Sequence, residues 1–152
     1  MAAASEVPDY VVDYLSQQKA LTLATAGSGG PHAATLVYVN EGPLLYIWLR
    51  QSAETAGQVE SNPDVAFAID EYAEDWRQTK GVQGTGRCEV LTDGDELAKA
   101  ADLFGRKFPD LRPGATSAVT FFRITPTELQ YIDNTRGEGE PDPDEYRRES
   151  VL

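Results

Sequence analysis

Apolar and β-branched residues alternate with polar ones along most of the chain, and the alternation centres on the stretch from Pro31 to Pro63. Within it, two runs of β-branched and aromatic residues flank Asn40-Glu41-Gly42-Pro43, whose residue types favour a tight turn between strands. A short helix and the start of another strand complete the stretch. The pattern along the rest of the chain predicts helices over Pro8 to Gln18 and Gly94 to Phe108, and strands over Ala20 to Ala26, Val65 to Ile69, Thr79 to Leu91, Ala118 to Ile124 and Glu128 to Asp133.

The second run of the central hairpin has two different faces, because side chains alternate across a strand. One row is purely apolar, and the other carries two large aromatic rings and a cation. The rows are Leu45, Ile47 and Leu49 on the first face, and Leu44, Tyr46, Trp48 and Arg50 on the second. Exposed Tyr and Trp side by side are costly. We therefore expect a strand layer, a second subunit or a flat, negatively charged aromatic ligand to cover the second face.

The order of elements predicts a mainly β protein with flanking helices and six to seven antiparallel strands. Consecutive strands joined by turn signals favour a closed or nearly closed barrel, since the βα alternation of a parallel sheet is missing. Gly84 and Gly86 share one face of a predicted strand, which indicates either a bulge or close strand crossing, or a group that passes near the backbone. Residues 1–136 are predicted to form a single domain. Residues 137–152 are acidic and rich in proline, and we expect them to form a flexible tail.

The composition of the chain limits the kinds of molecule that it is expected to bind. The chain has 152 residues and a formal net charge of −12, which argues against nucleic acid and anionic membranes as partners, because both would be repelled. No apolar run approaches the ~20 residues needed to span a bilayer. The first ten residues lack the pattern of a signal peptide, and the single cysteine fits a reducing compartment. These features predict a soluble, cytoplasmic protein.

The sequence contains few side chains that could catalyse a reaction without a cofactor. One histidine and one cysteine cannot build a His/Cys metal cluster, so no metal site is predicted. The only base that could activate a nucleophile is His32, which we interpret as a strand-edge or surface residue in preference to a catalytic base or haem ligand. Cys88 alternates with apolar positions and is interpreted as a small core residue. Difficult chemistry would therefore come from a bound cofactor.

Several motifs in a fixed order carry a resemblance to a known family. They are the stretch from Leu21 to Val39, Leu44 to Leu49, a short helix ending in Ser61-Asn62-Pro63, Gly81-Val82-Gln83-Gly84-Thr85-Gly86, Arg106-Lys107-Phe108-Pro109 and Asp133-Asn134-Thr135-Arg136-Gly137. Together they resemble the pyridoxamine 5′-phosphate oxidase-like family of FMN-binding split barrels, and within it a small uncharacterised branch. The resemblance spans about residues 10–138.

The resemblance implies a split-barrel homodimer with a cofactor site at each subunit interface. It implies FMN as the cofactor, with deazaflavin F420 and haem as alternatives, and NAD(P)H as a transient partner. The implied activity is that of a flavin-dependent oxidoreductase passing electrons to a small acceptor. The alternative is a non-catalytic protein that binds a flavin or haem, or a relative without a cofactor. The residues that match the family's cofactor contacts are Thr35, Leu36, Val37, Trp48, Leu49, Arg50, Ser52, Thr55 and Gln83.

The chain departs from the family pattern at the start of the short helix. Where relatives carry cations that hold the phosphate, this chain has Glu54 and Thr55. A phosphate dianion favours charge-assisted donors. We therefore expect weak FMN binding, with Arg50 as the substitute phosphate contact. A homodimer is also expected because Tyr46, Trp48 and the later aromatic residues exceed what one small barrel hides.

Overall fold

Eight antiparallel strands form one curled sheet in the computed structural model, which describes residues 6–152. The strands are ordered β2-β1-β5-β6-β7-β4-β3, and β8 pairs with β7. A short 3-10 turn, Trp76–Gln78, precedes β6. The elements are α1 Asp9–Gln17, β1 Ala20–Gly27, β2 Gly30–Val37, β3 Val39–Glu41, β4 Leu44–Arg50, α2 Glu54–Ser61, β5 Asp64–Asp70, β6 Lys80–Val90, α3 Gly94–Lys107, β7 Val119–Asp133 and β8 Arg148–Ser150.

The main core lies on the concave side of the sheet, where alternate residues of the long strands meet. The predicted apolar row of β4 is part of it: Leu45 and Ile47 are fully buried and Leu49 nearly so. Helix α1 packs on the same core through Val11 and Leu15. This arrangement confirms the predicted mainly β split barrel with flanking helices. Among residues 6–152, no helix is long and apolar enough to cross a membrane.

Helix α3 covers part of the aromatic face of β4, and in particular Tyr46. Tyr46 is buried and donates a hydrogen bond of 3.0 Å to the Glu96 carboxylate. Phe104 is also buried, and its ring meets that of Phe121 edge to face at 5.9 Å. Trp48 packs against the same cluster. For Tyr46 the cover is therefore a helix of the same chain, where we expected a strand layer, a second subunit or a ligand.

Helix α1 covers another of the aromatic residues. The Tyr131 ring lies 5.4 Å from the Tyr10 ring and 5.9 Å from the Tyr14 ring. The excess of aromatic side chains that we took as an argument for a dimer is thus accommodated within one chain.

Strand β7 is one continuous strand, where the sequence predicted two. It bends at Thr125-Pro126-Thr127, and the register with β6 shifts opposite Thr85 and Gly86. Here β7 crosses very close to β6: a Cβ on Gly86 would lie 2.5 Å from the Thr125 carbonyl oxygen. A Cβ on Gly84 would lie 2.7 Å from the Glu128 carbonyl oxygen. The two glycines therefore serve a bulge and a close strand crossing, as one of our two interpretations held.

The C-terminal segment includes ordered structure, contrary to the expected flexible tail. Strand β8 pairs with β7, and Val151 and Leu152 pack against the core. The Arg147 guanidinium donates to the carbonyl oxygens of Arg136, Glu138 and Gly139, and so folds the acidic loop back. We predicted a flexible tail from the polar composition of residues 137–152. Strand pairing and these hydrogen bonds stabilise ordered structure there in spite of that composition.

Two of the motifs behind the resemblance have structural roles in this chain. Asn134 donates through its side chain to the Trp76 carbonyl oxygen and accepts from the Arg147 backbone N–H, which joins the end of β7 to the segment before β8. At the end of α3, the Lys107 ammonium lies 4.2 Å from the Tyr38 ring centroid. A cation over an aromatic face fixes the helix end against the strands.

Candidate functional site

The outer side of the sheet carries an uncovered patch of small side chains, which we call the small-residue face: Thr22, Ala24, Ala66, Ala68 and Thr85. These residues come from β1, β5 and β6, and all are exposed or half-buried. They point away from the core because side chains alternate across a strand, and their neighbours Leu23, Phe67 and Gly84 face inward.

Strand register arranges the small-residue face in two rows that run across the sheet. The first row is Thr35, Thr22, Ala68, Gln83, Gln130 and Ser150. The second is Ala33, Ala24, Ala66, Thr85 and Glu128. The first row thus joins Thr35 and Gln83, two of the residues matched from the resemblance. They are three strand spacings apart, about 14 Å at the usual ~4.8 Å.

Two depressions lie along this face and share Ala24, Ala66 and Thr85. The first has a volume of about 410 Å³ and is bordered by Gln83 and Gln130. The second, of about 610 Å³, extends towards Pro31 and Arg87. Small side chains on the floor and amide or hydroxyl groups at the edges suit a flat, conjugated ligand, because its ring can approach the backbone while its polar groups find partners.

The other residues predicted on β2 and β4 lie away from this face. Leu36 packs at the edge of the main core, and Val37 packs against the cluster under α3. Leu49 is buried in the core. Trp48 is half-buried, and its indole N–H is enclosed without an acceptor in the part of the chain that the structure describes. Side-chain contact with a ligand on the small-residue face is therefore restricted to Thr35 and Gln83 among the predicted strand residues.

The remaining predicted residues lie around the start of α2. Arg50 and Ser52 are exposed, and Thr55 is buried in the first turn of the helix. Glu54 is exposed and its carboxylate lies 3.8 Å from His32 Nδ1. The helix is held to the β1–β2 hairpin by Gln58, which donates to the Gly30 carbonyl oxygen and bonds with Thr25.

A phosphate group does not fit at the start of α2. Ala53 at the N-cap provides no side-chain hydrogen bond, and the first turn carries the Glu54 carboxylate. A phosphate dianion there would meet a like charge, and the neighbouring Thr55 hydroxyl belongs to a buried residue. These features disfavour a phosphate group at the start of α2, which is where the resemblance implied one.

Neither Cys88 nor Lys107 is placed for nucleophilic catalysis at this site. Burial raises the pKa of the Cys88 thiol to about 12, so it is protonated and unreactive at neutral pH. Burial lowers the pKa of Lys107 to about 8, yet this ammonium is enclosed against Tyr38, away from the small-residue face. Within residues 6–152, no group of three or more His, Cys, Asp or Glu is placed to hold a metal ion.

Arg148, a polar residue beside the first depression, was not predicted from the sequence. Arg148 on β8 donates from Nη1 to the side-chain oxygens of Gln83 and Gln130, each at 2.9 Å. Both glutamines border the depression. The available signal was the return of β-branched and aliphatic residues at Val151-Leu152 after the acidic stretch, which indicated a final strand.

Comparison with known proteins places the chain in a family. The model of the pyridoxamine 5′-phosphate oxidase family matches residues 7–133, and the chain belongs to this family. A UPF0306 protein of Photorhabdus laumondii is 27% identical over 128 residues, which cover 83% of this chain and 87% of that protein.

Two solved structures show the same fold. The haem storage protein HutZ of Vibrio cholerae has a TM-score of 0.69 and 20% identity, covering 82% of this chain and 93% of HutZ. An FAD-binding protein of Mesorhizobium loti has a TM-score of 0.63 and 26% identity, covering 81% of this chain and 92% of that one. The fold of this chain thus occurs both in a haem storage protein and in an FAD-binding protein.

Proposed function

We propose that this protein is a homodimeric, flavin-binding oxidoreductase whose cofactor lies on the small-residue face, between two copies of the chain. The observation that carries the proposal is the first cross-strand row, which places Thr35 and Gln83 at two ends of an open floor of small side chains. A bound flavin would supply electron transfer to a small acceptor. The chain's own residues would bind and orient it.

The open face also supports the dimer. Small side chains let a second sheet approach closely, and an uncovered patch on the central strands of a sheet favours a partner. A self-complementary patch can serve both subunits of a two-fold dimer. Thr35 from one chain and Gln83 from the other would then reach a ligand held between them, which agrees with the interface cofactor site implied by the resemblance.

The flavin ring has suitable partners on this face. The Thr35 hydroxyl can donate or accept, and the Gln83 amide offers both a donor and an acceptor. A flavin ring presents both kinds of group along its edge. A reductant such as NAD(P)H would bind transiently over the exposed side of the ring. F420, whose deazaflavin ring has a similar outline, is the nearest alternative cofactor.

Haem binding is a second candidate because of one contact. His32 Nδ1 lies 3.8 Å from the Glu54 carboxylate, and a small approach of the two groups would form the hydrogen bond that orients an imidazole for metal coordination by its other nitrogen. The HutZ neighbour is a haem storage protein. His32 is the only histidine in the chain. The absorption spectrum separates the candidates: flavin, deazaflavin and haem each give a distinct band on reconstitution.

Replacing Ala66 by arginine is expected to weaken flavin binding strongly without unfolding the chain. Ala66 lies at the centre of the face and borders both depressions, and it is only half-buried. A long charged side chain there would fill the floor and repel a second copy. We expect riboflavin affinity, measured by quenching of flavin fluorescence, to fall at least about tenfold, which corresponds to about 1.4 kcal/mol.

Ala101→Arg is the matched control, because Ala101 is exposed on α3, away from the small-residue face. It should bind riboflavin as the unmodified chain does. Thermal unfolding of both variants checks that the fold is kept. Equal riboflavin affinity in Ala66→Arg and Ala101→Arg would contradict the placement of the cofactor on this face.

A further inference from the structure

Arg148 is held in place by two residues that border the proposed ligand site. Its Nη1 donates to Gln83 Oε1 and to Gln130 Oε1, both at 2.9 Å. Gln83 and Gln130 occupy adjacent positions in the first cross-strand row. Strand β8 brings Arg148 there, because Ser150 is paired with Gln130 and Arg148 lies two residues away on the same side of the strand.

The two glutamines do not use all of the N–H donors of the Arg148 guanidinium. An arginine has five N–H donors in a planar fork, and the two glutamine oxygens occupy only Nη1. The side chain is exposed, so the remaining donors on Nη2 and Nε face solvent or a ligand. Two neutral amide oxygens orient the fork without neutralising its charge.

Arg148 is one of the seven cations of this acidic chain that have no carboxylate partner among residues 6–152. The chain carries 25 acidic and 13 basic side chains. Six cations, Arg77, Arg87, Lys99, Arg106, Arg123 and Arg136, pair with a carboxylate within 4.0 Å. Arg148 forms no such pair within residues 6–152, although Glu149 beside it pairs with Arg136. Glu128, in the second row, is the acidic residue that borders the first depression, whereas Arg148 lies beside that depression through its bonds to Gln83 and Gln130.

We infer that Arg148 recognises the anionic group, a phosphate or a carboxylate, of the ligand on the small-residue face. This inference rests on the proposed function. It places the anionic group beside β8, at the end of the first cross-strand row, and not at the start of α2. The Glu54 carboxylate disfavours an anion at α2, whereas a fork-shaped cation oriented by Gln83 and Gln130 favours one beside β8. Arg50, the phosphate contact expected from the sequence, is not needed to bind an anionic group in this position.

The test compares a phosphorylated with a neutral flavin. FMN and riboflavin are titrated against the full chain, Arg148→Gln and Arg50→Gln. Arg50 is the matched control because it is also an exposed strand-end arginine without an ion pair in the described residues. We expect the unmodified chain to favour FMN over riboflavin by about tenfold or more. The preference should vanish in Arg148→Gln and persist in Arg50→Gln, while riboflavin affinity stays unchanged in both.

A purely structural role for Arg148 gives a different result. If the residue only fastens β8, Arg148→Gln lowers the melting temperature and weakens FMN and riboflavin equally. A preference for FMN that survives in Arg148→Gln, or that disappears in Arg50→Gln, would overturn the inference. Arg148→Lys, which keeps the charge but loses the fork, should restore part of the preference for FMN.

A second readout separates this inference from the proposed function. The Arg148 Nε–H resonance, identified by its loss in Arg148→Lys, is followed by NMR during titration with inorganic pyrophosphate alone. A saturable shift shows anion recognition even if neither flavin binds, in which case only the flavin proposal falls. A resonance that neither FMN nor pyrophosphate moves would overturn the inference.

Discussion

Gly86→Ala is expected to destabilise the protein by about 3 kcal/mol, at the upper end of the range for overpacked sites. The added Cβ would lie 2.5 Å from the Thr125 carbonyl oxygen and 3.0 Å from Pro126 Cα. Both are backbone atoms at the bend of β7, so no flexible side chain can move aside. Either β6 and β7 separate or the bulge is lost. Equilibrium unfolding in urea measures the change in free energy of unfolding.

Gly105→Ala is the control for this prediction. Gly105 lies inside α3, and a Cβ there would have no heavy atom within 4 Å. Alanine favours the helix over glycine by about 1 kcal/mol, so this variant should be more stable than the unmodified chain. Gly86→Ala with unchanged stability would show that the crossing of β6 and β7 is looser than described.

Phe104→Ala should lower the free energy of unfolding by about 3–5 kcal/mol, as is usual for a buried phenylalanine. Its ring is 1% exposed and contacts the rings of both Phe108 and Phe121. Removing it leaves a cavity between α3 and β4. Because Trp48 packs against the same cluster, its fluorescence should also shift towards that of a solvated indole.

Phe108→Ala makes the same truncation at a half-buried ring at the end of α3. We expect less than half of the loss in stability, because part of that ring is already in contact with water. Equal losses in the two variants would contradict the view that α3 is anchored on the sheet mainly through Phe104.

Local patterns predicted most of the fold. Strict alternation in β4 identified Leu45, Ile47 and Leu49 as core residues, and the Asp93 side chain caps α3 by accepting from the Glu96 backbone N–H. Such signals are contained within a few neighbouring residues. The motifs in chain order indicated the split barrel, which the structure and the family match confirm.

Contacts between distant residues could not be predicted in the same way. The cover over Tyr46 comes from Glu96 and Phe104, about fifty residues later, and no local pattern encodes that pairing. The order in residues 137–152 depends on Arg147 reaching three backbone carbonyl oxygens. For the candidate site, the resemblance indicated Thr35 and Gln83, but strand register was needed to place them in one row with Arg148 nearby.

Size-exclusion chromatography with light scattering, run in buffer containing riboflavin, tests the central claim most directly. The account predicts a species of about twice the 16.6 kDa chain mass, with flavin absorbance co-eluting at one flavin per chain. Ala66→Arg should elute at the mass of one chain without flavin absorbance. A monomer that carries flavin, or a dimer whose flavin binding survives Ala66→Arg, would contradict a cofactor held between two copies on the small-residue face.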